Sequence, residues 1–259
     1  MNKNIIRNTQ LEDFDFSDKR RKSVMVLDVE TALSEGYEQL IFDLGWTVAN
    51  LNQEKMIIHR SYIVEEIFLD MKLMERAYYF KKYPQYVKAL AEGRAELKPF
   101  NEIIAILEQD IKDYNVYRMF AYNSKFDSTA INVTHKYLYN NTSELKYNIN
   151  CLWSLSTQTF MATEKFVLTA VENGWVSEKG NIRTSAEIAY RYLTGDYEFV
   201  EAHTALEDSI IETQLLFKIK NYSQKDYESA KQPWRRIKEI KDKMGLELWA
   251  CFFLRQATH

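Results

Sequence analysis

Between Ser23 and Thr31 the chain reads Ser-Val-Met-Val-Leu-Asp-Val-Glu-Thr, and Val24-Met25-Val26-Leu27 has no polar break. A short apolar run without alternation is expected for a strand covered on both faces, hence for the centre of a sheet. The run closes on Asp28 and Glu30. Residues two apart in a strand share a face, so both carboxylates project together at the strand's C-terminal end, where α/β sheets place ligands.

Two more strand-like segments, Leu40–Ala49 and Lys55–Val64, follow over short connections and are expected to pair in order. Residues 65–99 break this pattern. Ile67, Met71, Met74 and Tyr78 have helical spacing, which predicts one or two inserted helices within Glu65–Tyr83. Pro99 suits a helix start. Phe100, Ile103, Ile104, Leu107, Ile111 and Tyr114 then trace one amphipathic face. Val116–Tyr122 reads as a fourth strand, Ser128–Tyr139 as a helix and Tyr147–Leu155 as a fifth strand. Helices are expected at 156–172, 183–194, 205–220 and 233–244. This order predicts an α/β layer architecture. It is organised as a polar arm (1–21), a main domain (22–220) interrupted by 65–99, and a basic, aromatic C-terminal extension (221–259).

A hydrophobic fraction of 46% over 259 residues supports a sizeable core, and 7 Gly with 3 Pro leave little room for flexible linkers. The formal net charge is -3, so nucleic-acid binding would need a local basic surface or metals. Cys151 and Cys251 lie far apart in apolar surroundings and read as reduced core thiols. The polar stretch from Met1 to Lys22 is unlike a signal peptide. No apolar run approaches the length of a membrane helix, which excludes a membrane protein and predicts an intracellular, cytoplasmic one.

Asp28-x-Glu30 alone is more often a polar strand end than a site. Asp127 alone is more often a helix N-cap. The loop before it, Tyr122-Asn123-Ser124-Lys125-Phe126, shifts the balance, because an Asn and a Phe beside a carboxylate suit a nucleotide and Phe126 offers a stacking face. Thr204-Ala205-Leu206-Glu207 fits a capping box, with Thr204 at the N-cap and Glu207 at N3. That places His203 and Asp208 at the two positions that a hydrophobic staple brings side by side. A base and a carboxylate there forgo packing, which favours function. Glu207 reads as structural. His59, His135 and His259 have no carboxylate context.

Four oxygen ligands without a Cys–His cluster favour Mg²⁺ or Mn²⁺ over Zn²⁺. Paired ions about 4 Å apart suit phosphodiester chemistry, with a nearby His taking a proton from water. Nothing supplies a serine or cysteine nucleophile.

Asp28-Val29-Glu30-Thr31, Tyr122-Asn123-x-x-Phe126-Asp127 and His203-x-Ala205-x-x-Asp208 together resemble the three exonuclease motifs of the DEDD superfamily, in its histidine-containing (DEDDh) branch. That branch includes proofreading subunits of bacterial DNA polymerases, ribonuclease T and oligoribonuclease. The inserted helices and Asp43-Leu44-Gly45-Trp46 look most like exonucleases encoded by phages of Gram-positive bacteria. The resemblance implies a ribonuclease H-like fold. Its five-stranded mixed sheet has the second strand antiparallel, is flanked by helices, and carries a helical insertion after the third strand. It further implies 3′→5′ release of nucleoside 5′-monophosphates using two divalent cations, Mg²⁺ or Mn²⁺. Asp28, Glu30, Asp127 and Asp208 would bind the metals, His203 would be the general base, and Thr31 would approach the 3′-terminal nucleotide. Many relatives follow the Glu with Thr-Thr-Gly or Thr-Gly. Here Thr31 precedes Ala32-Leu33-Ser34, so the backbone near the 3′ end is expected to differ.

The implied partner is single-stranded nucleic acid or a 3′ end, with DNA favoured, in the cytoplasm of a bacterial host. A replication protein is a second candidate partner, for 65–99 and the tail. RNA is the alternative substrate, since no residue reports on the 2′-OH. A non-catalytic binding module is the third reading, and no metal ligand is missing to favour it. Basic residues between Lys218 and Lys243, interleaved with Tyr222, Tyr227 and Trp234, suit single-stranded nucleic acid or, equally, a solvated helix with its aromatics packed inward. Oligomeric state is left open.

Overall fold

The computed structural model describes residues 9–10, 23–36, 38–140, 143–219 and 234–245. The boundaries expected at 21–22 and 220–221 lie outside these residues, as do Tyr222, Tyr227 and Cys251. The chain divides into two compact units, Met1–Asn150 with Ala202–Thr213, and Cys151–Glu201 with Gln214–His259.

The first unit is built on a mixed sheet. Its strands are β1 (Thr9–Gln10), β2 (Ser23–Leu33), β3 (Gln39–Asn50), β4 (Lys55–Val64), β5 (Glu96–Lys98), β6 (Val116–Ala121) and β7 (Ile149–Cys151). They run in the order β1-β4-β3-β2-β6-β7, with β5 beside β4. Among the described residues the sheet therefore has seven strands rather than five. The five expected ones are present, and the additions are β1, antiparallel to β4, and β5, parallel to it. β5 adds a short strand at the end of segment 65–99, beyond the helices expected within Glu65–Tyr83.

β2 lies between β3, which is antiparallel, and β6, which is parallel. Val24, Met25, Val26 and Leu27 are wholly buried, so the uninterrupted apolar run does mark a strand covered on both faces. In the β2–β3 register, Asp28 opposes Gly45 and Glu30 opposes Asp43. The register slips after Glu30, where Thr31 pairs with Ile41 and leaves Phe42 as a bulge on β3.

Segment 65–99 begins with α1 (Glu65–Phe68) and α2 (Met71–Met74), then a single 3-10 turn at Phe80–Lys82, and α3 (Tyr83–Ala91). Helix α4 (Phe100–Asp113) buries Phe100, Ile103, Ile104 and Leu107, the face its spacing predicts. Its Asp110 is locked to the sheet: Oδ2 accepts from Trp46 Nε1 at 2.9 Å and from Arg60 Nε at 3.0 Å.

Helix α5 spans Ser124–Tyr139, four residues longer at its start than expected. Asn123 makes this possible by taking a left-handed backbone, φ 68°, which Asn tolerates better than most residues. Helix α9 (Ala205–Ile219) begins where expected. Among the described residues, no helix is long and apolar enough to cross a membrane.

The expected strand Tyr147–Leu155 shrinks to β7, because Leu152–Gln158 is helix α6, where the second unit begins. Cys151 caps it, Sγ accepting from Ser154 N–H at 3.4 Å. The single helix expected at 156–172 is broken. A second helix, α7 (Glu164–Glu172), restarts at Thr163, whose hydroxyl accepts from Phe166 N–H. Helix α8 (Ala186–Thr194) follows. Helix α10 (Trp234–Lys243) stacks Trp234 on Trp153 at 5.9 Å, buries Ile237, and leaves Trp234 half exposed.

Candidate metal centre

The candidate site lies in the first unit, at the C-terminal ends of β2 and β6. Asp28 and Glu30 share a face of β2, and their opposite numbers on that face of the sheet are Gly45 and Asp43. Helix α9 is laid across this face. A Cβ built on Gly45 would fall 2.3 Å from Leu206 N and 2.5 Å from Ala205 C, so only glycine admits the helix end there. Asp43 Oδ2 accepts the Ala205 N–H at 2.9 Å. One turn later the Thr47 and Ser209 hydroxyls share a hydrogen bond of 3.0 Å.

This arrangement corrects the capping box. The Thr204 hydroxyl donates to Glu207 Oε2 at 2.9 Å, side chain to side chain. The open backbone donor at the helix start is taken by Asp43, across the sheet. Glu207 is still occupied at the helix end.

The consequence is convergence. Ligand atoms of Glu30, His203 and Asp208 all lie within 4.8 Å of one another. His203 Nδ1 stands 4.0 Å from Asp208 Oδ2, closer than chance but too far for a direct hydrogen bond. His203 has a left-handed backbone, φ 51°, a conformation costing a non-glycine residue about 1–2 kcal/mol.

Asp127 is no N-cap. It sits inside the first turns of α5 and is buried. Both of its oxygens are shut off from solvent without a well-formed hydrogen bond. Loss of solvation pushes its carboxyl up to about 8, although the backbone N–H groups of Asp127 itself and of Val29 pull the other way. Asp28 is raised well above the usual carboxylate range, first by desolvation and then by the charges of Glu212, Asp127, Asp208 and Glu30. Asp43 is pushed up to about 7 by burial, opposed by its bonds from Ala205 N–H and the Tyr86 hydroxyl.

Crowded, desolvated carboxylates of this kind call for positive charge. The donors are oxygens with one imidazole, and the buried oxygens of Asp127 lack good partners, so the residues present fit a hard divalent cation. Glu30, His203 and Asp208 have ligand atoms close enough together to hold one, and the Asp28 carboxylate feels the charges of Asp127, Asp208 and Glu30 beside them.

Glu212 was not among the residues singled out by sequence. It is buried, and its Oε2 accepts the Tyr122 N–H at 3.0 Å, tying α9 to the β6–α5 loop. Among neighbouring charges, it raises Asp28 most. Its position four residues after Asp208, on the same helix face, was the available signal. Asp43 was likewise signalled by a lone carboxylate in an apolar strand. Glu212→Ala would strand a donor and is expected to cost about 1–3 kcal/mol in denaturant unfolding. Glu212→Gln keeps the acceptor and removes a charge beside Asp28, so it should unfold at or above the wild-type midpoint in chelator. Equal midpoints for Ala and wild type would discount the tie.

Of the residues expected to meet substrate, Phe126 and Asn123 are exposed at the start of α5. The Asn123 carbonyl accepts Phe126 N–H at 2.8 Å, so Asn123 also has a structural reason to be there. Thr31 is half-buried just past the bulge, and its hydroxyl donates to Gln39 Oε1.

The raised carboxyls set a pH dependence. Folded values above the unfolded ones mean that the native state binds more protons, so their contribution is fully present below about pH 4. It is lost as pH rises through about 7 for Asp43 and about 8 for Asp127. In chelator, calorimetry should show melting temperature falling from pH 5 to pH 8, with a smaller fall in Asp127→Asn. Mn²⁺ held by the ionised carboxylates would stabilise more at pH 8 than at pH 5. A Mn²⁺ shift equal at both pH values would contradict this.

No protein-family model matches the chain, and no curated protein matches it. Among solved structures, a full-length 3′-exonuclease has a TM-score of 0.53 at 12% identity, over 81% of this chain and 84% of that one. A 3′-exonuclease in a structure of 3′-end specific recognition of histone mRNA stem-loop has a TM-score of 0.52 at 12% identity, over 80% and 66%. Cell-death related nuclease 4 has 0.50 at 14% identity, over 83% and 77%. At these identities the likeness is one of fold, and the α/β architecture with its mixed sheet and flanking helices is the one these nucleases use.

Proposed function

We propose that this chain is a metal-dependent 3′→5′ exonuclease of the DEDDh type that hydrolyses single-stranded DNA to nucleoside 5′-monophosphates. The observation that carries the reading is the convergence of Glu30, His203 and Asp208 within 4.8 Å, with Asp28 and Asp127 beside them. On this reading the three motifs form one site at the C-terminal ends of β2 and β6, in a fold like that of solved 3′-exonucleases.

Divalent cations, Mg²⁺ or Mn²⁺ and two in number, would supply positive charge against the phosphodiester and acidify the attacking water. Asp28, Glu30, Asp127 and Asp208 would hold them. His203 accepts the water proton at an imidazole nitrogen. The water oxygen bonds to phosphorus, the P–O3′ bond breaks, and the 3′ oxygen leaves and takes a proton. Phe126 stacks on a base, and Asn123 and Thr31 contact the terminal nucleotide. The motif Asp43-Leu44-Gly45-Trp46 supports a phage-encoded enzyme acting in a bacterial cytoplasm. A main domain over 22–220 with a basic extension is the corresponding organisation. A replication protein remains the candidate second partner.

RNA is the second reading, because a 3′-exonuclease of the same fold is described in 3′-end specific recognition of a histone mRNA stem-loop. Matched DNA and RNA oligonucleotides, labelled at either end and incubated with Mg²⁺, test both. The expected product is mononucleotide from the 3′-labelled DNA and a descending ladder from the 5′-labelled strand. Internal cuts, or faster loss of RNA, would overturn the reading or its sugar preference.

A further inference from the structure

We infer that the segment inserted after β4 holds the general base in place, with Tyr79, Lys82 and Tyr86 as its positioning residues. The inference rests on His203 being that base.

Four side chains, those of Tyr79, Lys82, Tyr86 and Asp43, close on Ala202, His203 and Ala205. The Tyr79 ring lies flat on the His203 imidazole, 4.6 Å between centroids and 15° between planes. Lys82 Nζ sits over the Tyr79 ring at 4.7 Å and donates to Ala202 O, with His203 O also in reach at 3.5 Å. The Tyr86 hydroxyl reaches His203 O at 3.5 Å and bonds to Asp43, the carboxylate that caps Ala205. The residues before, at and after the left-handed turn of His203 are thus gripped from one side.

The grip is itself anchored. Tyr86 is buried edge-on to Phe42 at 5.3 Å, and Tyr83 stacks on Phe68 at 4.7 Å. Phe42 is the bulged residue of β3, so α3 is fixed to the strand that also receives α9. A left-handed residue on a loop would otherwise relax to commoner conformations. Stacking fixes the plane of the imidazole beside Asp208, which helps hold a base within hydrogen-bond reach of water. The insertion therefore acts on the chemistry through its hold on His203.

The test compares Tyr79→Leu, Tyr79→Phe and Lys82→Met with wild type on 3′-labelled single-stranded DNA with Mn²⁺. Tyr79→Leu is expected to lose about 10–100-fold in kcat with KM little changed, as misplacement of a reacting group does. Tyr79→Phe keeps the stacked ring and should retain wild-type kcat. Lys82→Met should fall between them. A readout independent of activity is the His203 ring-proton NMR shift, assigned by its absence in His203→Gln. The stacked ring should hold it upfield in wild type and Tyr79→Phe, and Tyr79→Leu should move it downfield. Wild-type kcat and an unmoved His203 signal in Tyr79→Leu would overturn the inference. An inactive wild type with a ring-shifted His203 would instead count against the exonuclease reading.

Discussion

Gly45→Ala is expected to lower unfolding free energy by about 2 kcal/mol and to cut turnover about 100-fold. The added methyl would sit 2.3 Å from Leu206 N, 2.5 Å from Ala205 C and 2.6 Å from Leu206 Cα. All three are backbone atoms, so no rotamer change relieves the overlap. The start of α9 must lift from β3, stretching the bond from Ala205 N–H to Asp43. Since Gly45 faces Asp28 across the register, the lift separates Asp208 and His203 from the β2 carboxylates. Gly36→Ala is the control, because a methyl there meets only Ser34 Oγ at 3.7 Å. Denaturant unfolding and an exonuclease assay on the same preparations measure both effects. A Gly45→Ala protein matching Gly36→Ala in both would disprove the packing of α9 on β3.

His203→Ala is expected to reduce kcat by roughly 10²–10⁴-fold, the usual worth of a general base. The melting temperature should hardly move, because the side chain is 31% exposed and its salt-bridge distance to Asp208 is long. KM should also hold, since in the proposed mechanism the phosphodiester would be bound by cations on the carboxylates and by the stacking side chains rather than by His203. Single-turnover kinetics across pH separate this from a folding defect: the variant should lose the rise in rate that follows imidazole deprotonation. A variant that keeps that rise, or loses less than about tenfold, would remove His203 from the base role.

The sheet's centre was legible because burial on both faces leaves an uninterrupted apolar run, and the α4 face because helical burial leaves a 3.6-residue period. Misreadings came where a contact distant in sequence, or an unusual cap, overrode a local pattern. Residues Tyr147–Leu155 look extended, yet a cysteine sulfur caps α6 and ends the strand early. The break before α7 was marked by Thr163, a favoured cap passed over inside an apolar stretch. Asp127 was expected at a helix boundary. The left-handed Asn123 starts α5 earlier and draws Asp127 inside. At the candidate site, the pairing of His203 with Asp208 followed from spacing along one helix. The device that sets it did not, because Asp43 and Gly45 lie more than 150 residues away in sequence. Glu212 was missed because the i+4 rule was not extended past Asp208. The insertion's grip on His203 is a tertiary contact with no local signature.

The central claim is that this carboxylate cluster holds divalent cations for phosphodiester hydrolysis at a 3′ end. Its most direct test is release of nucleotide from 3′-labelled single-stranded DNA, measured against Mn²⁺ concentration for wild type, Asp28→Asn and Asp208→Asn. Mn²⁺ binding is followed by calorimetry on the same samples. The account predicts metal-dependent release of nucleoside 5′-monophosphate by wild type. Both variants should show weakened Mn²⁺ binding and lose release together. Undiminished release by Asp208→Asn, or by wild type in excess chelator, would contradict it.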